Sequence, residues 1–293
     1  MRLTETARAK VNLTLKVVGR RSDGYHALES LVSFASAGDS VSLELGAPVG
    51  VMTDGPFAGA IEGTNLLART LALVAEACAE LRLGAVRLTK MLPVAAGLGG
   101  GSADAAALLR LIARANPQIA PEVDWMALAA RLGADVPVCL GNAPALMWGV
   151  GERLVPLPAA TGQPGPLPAV LVNPRRPLAT AAVFKALAAS LAPEPLEVPA
   201  APVLTTVADV AGLMRSAGND LEPVAQRLLP VIGEVKRELA AQPGCLAAAL
   251  SGSGPTCFAL FATPGHAAAA AQRLGADARG WWAVATEIEF PAA

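Results

Sequence analysis

A glycine-rich stretch, GLGGGS at residues 97–102, is the feature of this sequence with the clearest chemical meaning. Glycine tolerates positive φ and has no side chain, so the backbone N–H groups of such a stretch can converge on an anion. The residues that follow, ADAAALLRLIARA, are typical of a helix, whose N-terminus carries partial positive charge. A glycine loop that opens a helix predicts a phosphate-binding site.

The glycine-rich stretch GLGGGS does not match the two common nucleotide-binding motifs. A Walker A loop requires a Gly-Lys pair, which the sequence lacks, and a Rossmann fingerprint requires a sixth-position glycine where GLGGGS has serine. An alternative for GLGGGS is therefore a tight turn whose glycines only allow close packing and bind no ligand. A second segment, LSGSGPT at residues 250–256, lies between apolar runs and is equally compatible with a plain hairpin connection.

Two pairs of polar residues occur in the first strands that the sequence predicts. Lys10 and Asn12 are two residues apart in ARAKVNLTL, so alternation places both on one face of an apolar strand. A lysine that reaches solvent from the strand end is the alternative. Tyr25 and His26 follow an Asp-Gly turn signal, which predicts a hairpin with both near its tip. Their alternatives are a tyrosine packed on the sheet and a surface histidine.

Composition limits the partners that we expect. The chain of 293 residues has 23 basic and 24 acidic residues, and this balance argues against nucleic acid or a membrane surface as a partner. The four cysteines lack metal-site spacing and lie in apolar surroundings, which indicates reduced thiols. The N-terminus lacks the apolar core of a secretory signal, and prolines and glycines interrupt the uncharged stretches. We predict a cytoplasmic protein with a small-molecule substrate, as a monomer or weak homodimer.

The hydrophobic pattern predicts a mixed order of strands and helices. In the first half, the predicted strands are residues 11–18, 28–35, 40–45 and 86–90. The predicted helices begin at Thr64 or Asn65, at the glycine loop and at residue 124. Residues 134–140, ADVPVCL, are predicted to be extended and buried. In the second half we predict a strand in AVLVNP, several helices between Ala179 and Gln242, two strands around LSGSGPT, and a last helix and strand.

A proline- and glycine-rich segment without charge, residues 156–168, is the strongest candidate for a linker. We therefore predict two domains, residues 1–155 and 156–293.

Taken together, separated motifs give the chain a resemblance to the GHMP kinases, which phosphorylate small alcohols with ATP. The motifs are AKVNL at residues 9–13, PVAAGLGGGSADAA at residues 93–106 and LSGSGPT. Further segments, RRSDGYH, LGADVPVCL and NDLEP, resemble the branch of the family that phosphorylates the 2-hydroxyl of a cytidine diphosphate-linked methylerythritol in the non-mevalonate route to isoprenoids. The order and spacing of these motifs make coincidence improbable.

The resemblance implies an α+β fold with two domains. The N-terminal domain is expected to resemble the second domain of ribosomal protein S5, and the C-terminal domain to be ferredoxin-like, with the active site between them. The implied ligands are ATP, Mg²⁺ and the cytidine diphosphate-linked methylerythritol.

The resemblance also implies roles for individual residues. Asp135 matches the catalytic base and Lys10 the ammonium that assists it, while Asn12 is expected to bind the polyol. For Asp135 a helix-terminal aspartate, and for Asn65 a simple N-cap, are the alternatives. The implied ATP-binding residues are Asn65, Pro93, Ala95, Ala96, Gly97, Leu98, Gly99, Gly100, Gly101 and Ser102, and Gly252 and Gly254 are expected to line the phosphates of the substrate.

For the cytosine ring, the resemblance implies stacking between Tyr25 and Phe184, with His26 hydrogen-bonded to the pyrimidine edge. Stacking supplies about 1–3 kcal/mol per base but does not distinguish bases, so a polar group is needed beside it. For Phe184, in TAAVFKAL, an apolar helix position that faces the core is the alternative.

Two rival functions are a kinase of the same family for mevalonate, homoserine or a sugar, and a nucleotide-binding regulator without turnover.

Overall fold

A computed structural model describes residues 1–63, 65–158, 165–188, 190 and 196–290, and within these ranges the chain is a mixture of helices and strands, as predicted. The strands are Arg2–Asn12 (β1), Lys16–Arg20 (β2), His26–Leu45 (β3), Gly50–Asp54 (β4), Gly84–Thr89 (β5), Ala145–Gly149 (β6), Arg153–Pro156 (β7), Leu167–Asn173 (β8), Cys245–Leu250 (β9), Cys257–Phe261 (β10) and Trp282–Ile288 (β11). The α-helices are Leu66–Ala77 (α1), Gly100–Ala115 (α2), Trp125–Leu132 (α3), Val136–Gly141 (α4), Thr180–Ala186 (α5), Val207–Ala217 (α6), Glu222–Leu228 (α7), Val231–Ala240 (α8) and Pro264–Gly275 (α9).

The chain divides into two compact units, and the long strand β3 contributes to both. The first unit comprises residues 1–9, 38–94 and 99–142. In it, β5 pairs antiparallel with residues 40–45 of β3 and parallel with β4, while α2 packs against α1, α3 and α4. Helix α2 is buried through most of its length, which explains why its sequence consists mainly of alanine and leucine rather than showing a polar face.

The second unit comprises residues 10–37, 95–98 and the described residues from 143 onward. Its main sheet has the antiparallel order β11-β8-β10-β9, and β6 and β2 each pair antiparallel with the first half of β3. Alternate residues of β8 and β10 face a core that includes Ile232, Val235 and Leu239 of α8. No helix in the described ranges is long and apolar enough to cross a membrane.

Some sequence predictions were wrong at the level of single elements. Residues 136–141 form the helix α4, whereas ADVPVCL was predicted to be extended. Pro137 lies in the first turn of α4, where its missing N–H costs nothing, so the valines around it are compatible with a helix.

The strand predicted at residues 11–18 is also divided. Strand β1 ends at Asn12 because the next N–H groups bond elsewhere: Leu13 donates to the carbonyl of Leu31 at 2.8 Å, and Leu15 donates to that of Gly218 at 2.9 Å. The two strands predicted at residues 28–35 and 40–45 form the single strand β3.

The two predicted domain ranges stay a prediction. In the segment predicted to be a linker, Pro156 ends β7 and Leu167 begins β8, while residues 159–164 lie outside the described ranges. Thr64, one of the two candidate helix caps, also lies outside them.

Candidate active site

Alternate residues in and just before the glycine loop have left-handed backbone. The φ angles of Ala95, Gly97 and Gly99 are 51°, 73° and 61°, all in the left-handed region. For Ala95, a residue with a side chain, this conformation costs about 1–3 kcal/mol and is concentrated at functional sites. Gly99 precedes α2, and no side chain caps the helix there, so the N-cap residue leaves the N–H groups of the first turn without a side-chain acceptor.

In the second unit, the late turn LSGSGPT packs directly on loop residues 95–98. Ser251 Oγ donates to the carbonyl of Gly97 at 2.9 Å, and Thr256 N donates to that of Ala96 at 3.2 Å. A Cβ atom on Gly97 would lie 2.5 Å from the carbonyl oxygen of Ser251. The turn connects β9 and β10, as predicted, but it is more than a plain hairpin connection because it holds the glycine loop.

The end of β1 joins the same cluster. Lys10 N donates to the carbonyl of Leu98 at 2.9 Å, and Asn12 N donates to Ser251 Oγ at 3.2 Å. Lys10 is only 4% exposed, which excludes the alternative of a lysine that reaches solvent. The Asn12 side chain is buried and fixed by its Nδ2 donating to Ser30 Oγ at 2.7 Å. Thus the second unit brings Lys10, Asn12, the first part of the glycine loop and the late turn together.

Asn219, the first residue of NDLEP, supports the late turn. Its Nδ2 donates to the carbonyls of Leu250 at 2.9 Å and Gly252 at 2.8 Å. The next residue, Asp220, accepts a 2.7 Å hydrogen bond from Val17 N. The motif therefore ties the start of β2 to the turn.

Tyr25 and His26 lie where the sequence predicted, at the tip of a hairpin. Strands β2 and β3 pair with Arg20 opposite His26, and Arg21 N donates to the carbonyl of Tyr25 at 2.7 Å. Tyr25 is 67% exposed, so it does not pack on the sheet. The His26 ring lies 5.0 Å from that of Phe184, with the planes tilted by 33°.

Phe184 lies in α5, at the edge of the core of the second unit and half-buried. It thus contacts the core, as the alternative proposed, and also lies near the hairpin tip through His26, while its stacking on cytosine stays a prediction. Burial, with the positive charge of Arg20, lowers the pKa of His26, so its ring is neutral near pH 7. A neutral imidazole offers one donor and one acceptor, as reading a pyrimidine edge requires.

Asp135 is half-buried and directly precedes α4, but its side chain makes no capping hydrogen bond to that helix. It occupies a helix terminus, as the alternative interpretation proposed, without performing the usual function of that position. Asn65, by contrast, does cap its helix: its side chain accepts a 2.9 Å hydrogen bond from Leu67 N.

A buried charge cluster in the first unit was not predicted. Lys90, directly after β5, donates from Nζ to Asp39 Oδ2 at 2.5 Å and to Asp104 Oδ2 at 2.8 Å. All three residues are at most 4% exposed, and Asp104 Oδ1 has no hydrogen-bond partner among the described residues. Burial, opposed by Lys90 and assisted by Asp39, raises the pKa of Asp104 to about 7. Burial alone would lower the pKa of Lys90, but the attraction of Asp104 and Asp39 outweighs it, so the pKa of Lys90 is raised.

Replacing Asp104 with asparagine is expected to flatten the pH dependence of stability. The raised pKa means that folded Asp104 keeps a proton that the unfolded chain releases above its usual value of 3.8. Its contribution to stability is therefore complete below that value and is lost as pH rises toward 7, by up to about 1.4 kcal/mol per unit. Urea unfolding from pH 4.5 to 8 measures this, and identical slopes for the two proteins would contradict the assignment.

Several contacts that the sequence did not reveal join residues that are far apart in the chain. Asp39 is 51 residues from Lys90, and Ser251 is 239 residues from Asn12. The motifs LSGSGPT and NDLEP, and PVAAGLGGGSADAA with Asp104, gave a signal, but that signal did not say which atoms these residues contact.

Comparison with known proteins identifies the family of the chain. Two family models match the chain: GHMP kinases N terminal domain over residues 65–149 and GHMP kinases C terminal over residues 204–279. The chain is 49% identical over 291 residues to a 4-diphosphocytidyl-2-C-methyl-D-erythritol kinase of Rhodopseudomonas palustris strain HaA2, with 96% of each chain covered. A protein of the same name from Bradyrhizobium diazoefficiens is 47% identical with the same coverage.

Solved structures give the same result. The crystal structure of a 4-(cytidine 5'-diphospho)-2C-methyl-D-erythritol kinase has a TM-score of 0.75 and 36% identity, and the match covers 98% of this chain and 100% of that one. A homoserine kinase from Cytophaga hutchinsonii has a TM-score of 0.67 at 21% identity, covering 99% of this chain and 94% of that one, which shows a shared fold only.

Proposed function

The chain belongs to the GHMP kinase family, and from this premise we propose that it is an ATP-dependent kinase that phosphorylates the 2-hydroxyl of 4-diphosphocytidyl-2-C-methyl-D-erythritol. Relatives that carry this activity in their names match it over 96% of its length. The reaction would belong to the non-mevalonate route to isoprenoids. The cytoplasmic location and the monomer or weak homodimer stay predictions.

The observation that carries the choice of substrate is the aromatic group at the hairpin tip. An exposed Tyr25 lies next to a neutral His26, whose ring contacts Phe184. Small alcohols such as mevalonate or homoserine have no base to stack, so this group would have no function in a kinase for them. We propose that Tyr25 and Phe184 stack on the cytosine and that His26 hydrogen-bonds to its edge.

ATP would be held through its phosphates. Left-handed backbone at Ala95, Gly97 and Gly99, together with the uncapped start of α2, supports the loop from Pro93 to Ser102 as the phosphate site. When bound, Mg²⁺ would neutralise negative charge on the phosphates of ATP, and phosphate oxygens would be its natural ligands. Asn65 stays a proposed contact for the adenine or ribose in addition to its capping role.

The transfer step needs a base and a positioned alcohol. Asp135 would accept the proton of the hydroxyl, and Lys10 would orient that carboxylate and lower the pKa of the alcohol. The burial of Lys10 in β1, and the position of the half-buried Asp135 directly before α4 in LGADVPVCL, support both proposals. Asn12, fixed through Nδ2, would accept a hydrogen bond from the polyol at Oδ1.

Gly252 and Gly254 are the proposed neighbours of the phosphates of the substrate. Gly252 is half-buried, and a Cβ atom there would lie 3.2 Å from Asn12 Oδ1, so the turn comes close to the proposed polyol site. Gly254 is buried and its N–H donates to the carbonyl of Ser251, so it contributes through the shape of the turn.

An ATP-consumption assay with three alcohols tests the proposed function. The cytidyl substrate should support turnover, while mevalonate and homoserine should not. Turnover with either of these at a comparable kcat/KM would show another kinase of the family, and ATP binding without any turnover would show a regulator. Mass spectrometry of the product should locate the phosphate on the 2-hydroxyl.

Tyr25→Ala should raise the KM for the cytidyl substrate by about 5- to 150-fold, the equivalent of about 1–3 kcal/mol of stacking. The KM for ATP should not change, because the ring belongs to the site of one ligand only. Steady-state kinetics with each substrate varied in turn measures both constants. Tyr25→Phe keeps the ring and is the matched control, expected to behave as the parent; an equal rise in both KM values for Tyr25→Ala would exclude the stacking role.

A further inference from the structure

The buried Asp39, Lys90 and Asp104 connect the two chain segments that flank the glycine loop. Asp39 Oδ1 accepts hydrogen bonds from Met91 N at 2.6 Å and Leu92 N at 2.8 Å, directly before Pro93. Its other oxygen accepts from Lys90 Nζ, which also donates to Asp104 in the second turn of α2. The cluster thus fixes the entry and the exit of residues 93–99 from one point.

The cluster leaves little room for movement on the exit side. A Cβ atom on Gly100 would lie 3.1 Å from Lys90 Nζ and 3.7 Å from Asp39 Oδ2. The first residue of α2 therefore lies directly against the ammonium group. The two carboxylates and one ammonium are buried, and such a group keeps its geometry because any separated partner would be an unpaired buried charge.

We propose that Asp39, Lys90 and Asp104 are positioning residues that hold the two ends of the glycine loop at the separation required for nucleotide phosphate binding. This inference rests on the proposed function for its ligand, ATP. Ala95 has a left-handed backbone that costs free energy in a residue with a side chain, and such a conformation persists only where the surrounding structure fixes the ends of the loop. The sheet fixes the entry end through β3 and β5, and the ammonium transfers this constraint to α2.

The burial of the cluster fits a positioning role better than a direct role in binding ATP. All three residues are at most 4% exposed, and the Lys90 ammonium already donates hydrogen bonds to both acidic side chains. The cluster would act through the backbone positions of the loop, whose N–H groups provide the contacts to the anion.

Amide hydrogen exchange tests the proposal without requiring activity. In Lys90→Met, which has a similar length but no charge, exchange in residues 93–102 should become about 10-fold faster or more, because the loop ends are no longer joined. The affinity for a non-hydrolysable ATP analogue should fall about 10-fold, with the KM for the alcohol within about twofold of the parent.

Glu5→Gln is the matched control, because Glu5 pairs with Arg110 of the same helix α2 at 2.5 Å but away from the loop. It should lower stability without changing exchange in residues 93–102 or nucleotide affinity. If Lys90→Met does not fold, Asp104→Asn, which keeps an oxygen for Lys90, should show the same changes at about threefold.

The outcomes separate the two proposals. Faster loop exchange in Lys90→Met but not in Glu5→Gln supports the positioning role even if the parent protein does not bind the ATP analogue, which would contradict the proposed function alone. Equal loop exchange in the parent and in the folded variant, or an equal increase in both variants, would overturn the positioning role.

Discussion

Asp135→Asn is expected to reduce kcat by a factor on the order of 10² or more while leaving both KM values largely unchanged. Asparagine has the same shape as aspartate but cannot accept the proton of the alcohol. Because the Asp135 side chain does not cap α4, its replacement should not remove a helix cap. Initial rates with purified protein, with thermal unfolding as a check on the fold, measure the effect.

A neighbouring residue provides the control. Asp124 also precedes a short helix, α3, but its side chain does accept a capping hydrogen bond, from Ala127 N at 2.9 Å. Asp124→Asn makes the same chemical change, and asparagine caps helices as well as aspartate does. We expect parent-like turnover for it. Parent-like turnover for Asp135→Asn as well would remove Asp135 from the role of base.

Gly97→Ala should cause the largest structural disruption among the single substitutions of the loop. Its φ of 73° would cost a residue with a side chain about 1–3 kcal/mol, and the new Cβ would lie 2.5 Å and 2.8 Å from the carbonyl oxygens of Ser251 and Gly254. These are backbone atoms, so relief requires the loop and the late turn to separate. The hydrogen bond from Ser251 Oγ to the Gly97 carbonyl would then be lost, and nucleotide affinity with it.

Gly46→Ala separates the cost of the left-handed backbone from the cost of the steric overlap. Gly46 has a φ of 88°, but nothing lies within 4 Å of a Cβ atom built there, so it has the strain without the overlap. Urea unfolding should show a cost of about 1–3 kcal/mol for Gly46→Ala and a clearly larger one for Gly97→Ala. Equal costs, with ATP-analogue binding retained in Gly97→Ala, would show that contact between the loop and the late turn is unimportant.

Features encoded by neighbouring residues were predictable from the sequence. The Asp-Gly pair indicated the hairpin that carries Tyr25 and His26, and the glycine loop indicated the start of α2, because both depend on local backbone preferences. The resemblance to GHMP kinases, which depends on motifs, is confirmed by the family models and the relatives.

Features that depend on distant partners were not predictable. Strand β3 was predicted as two strands because its centre, ASAGDS, is polar and contains glycine. In the fold, the Ser36 hydroxyl pairs with that of Thr286, and Asp39 binds Lys90. Gly38 is required because a Cβ there would lie 2.3 Å from the carbonyl oxygen of Ala7. Ser36, Gly38 and Asp39 are thus required by tertiary contacts that no local sequence pattern reveals.

A crystal structure of the protein with a non-hydrolysable ATP analogue and the cytidyl substrate would be the decisive test of the catalytic roles proposed for Asp135 and Lys10. We expect a carboxylate oxygen of Asp135 at about 2.6–3.2 Å from the 2-hydroxyl, with Lys10 Nζ within hydrogen-bonding reach of the same group and the γ-phosphate in line with it. A 2-hydroxyl that contacts another acceptor, with Asp135 and Lys10 both out of reach, would contradict it.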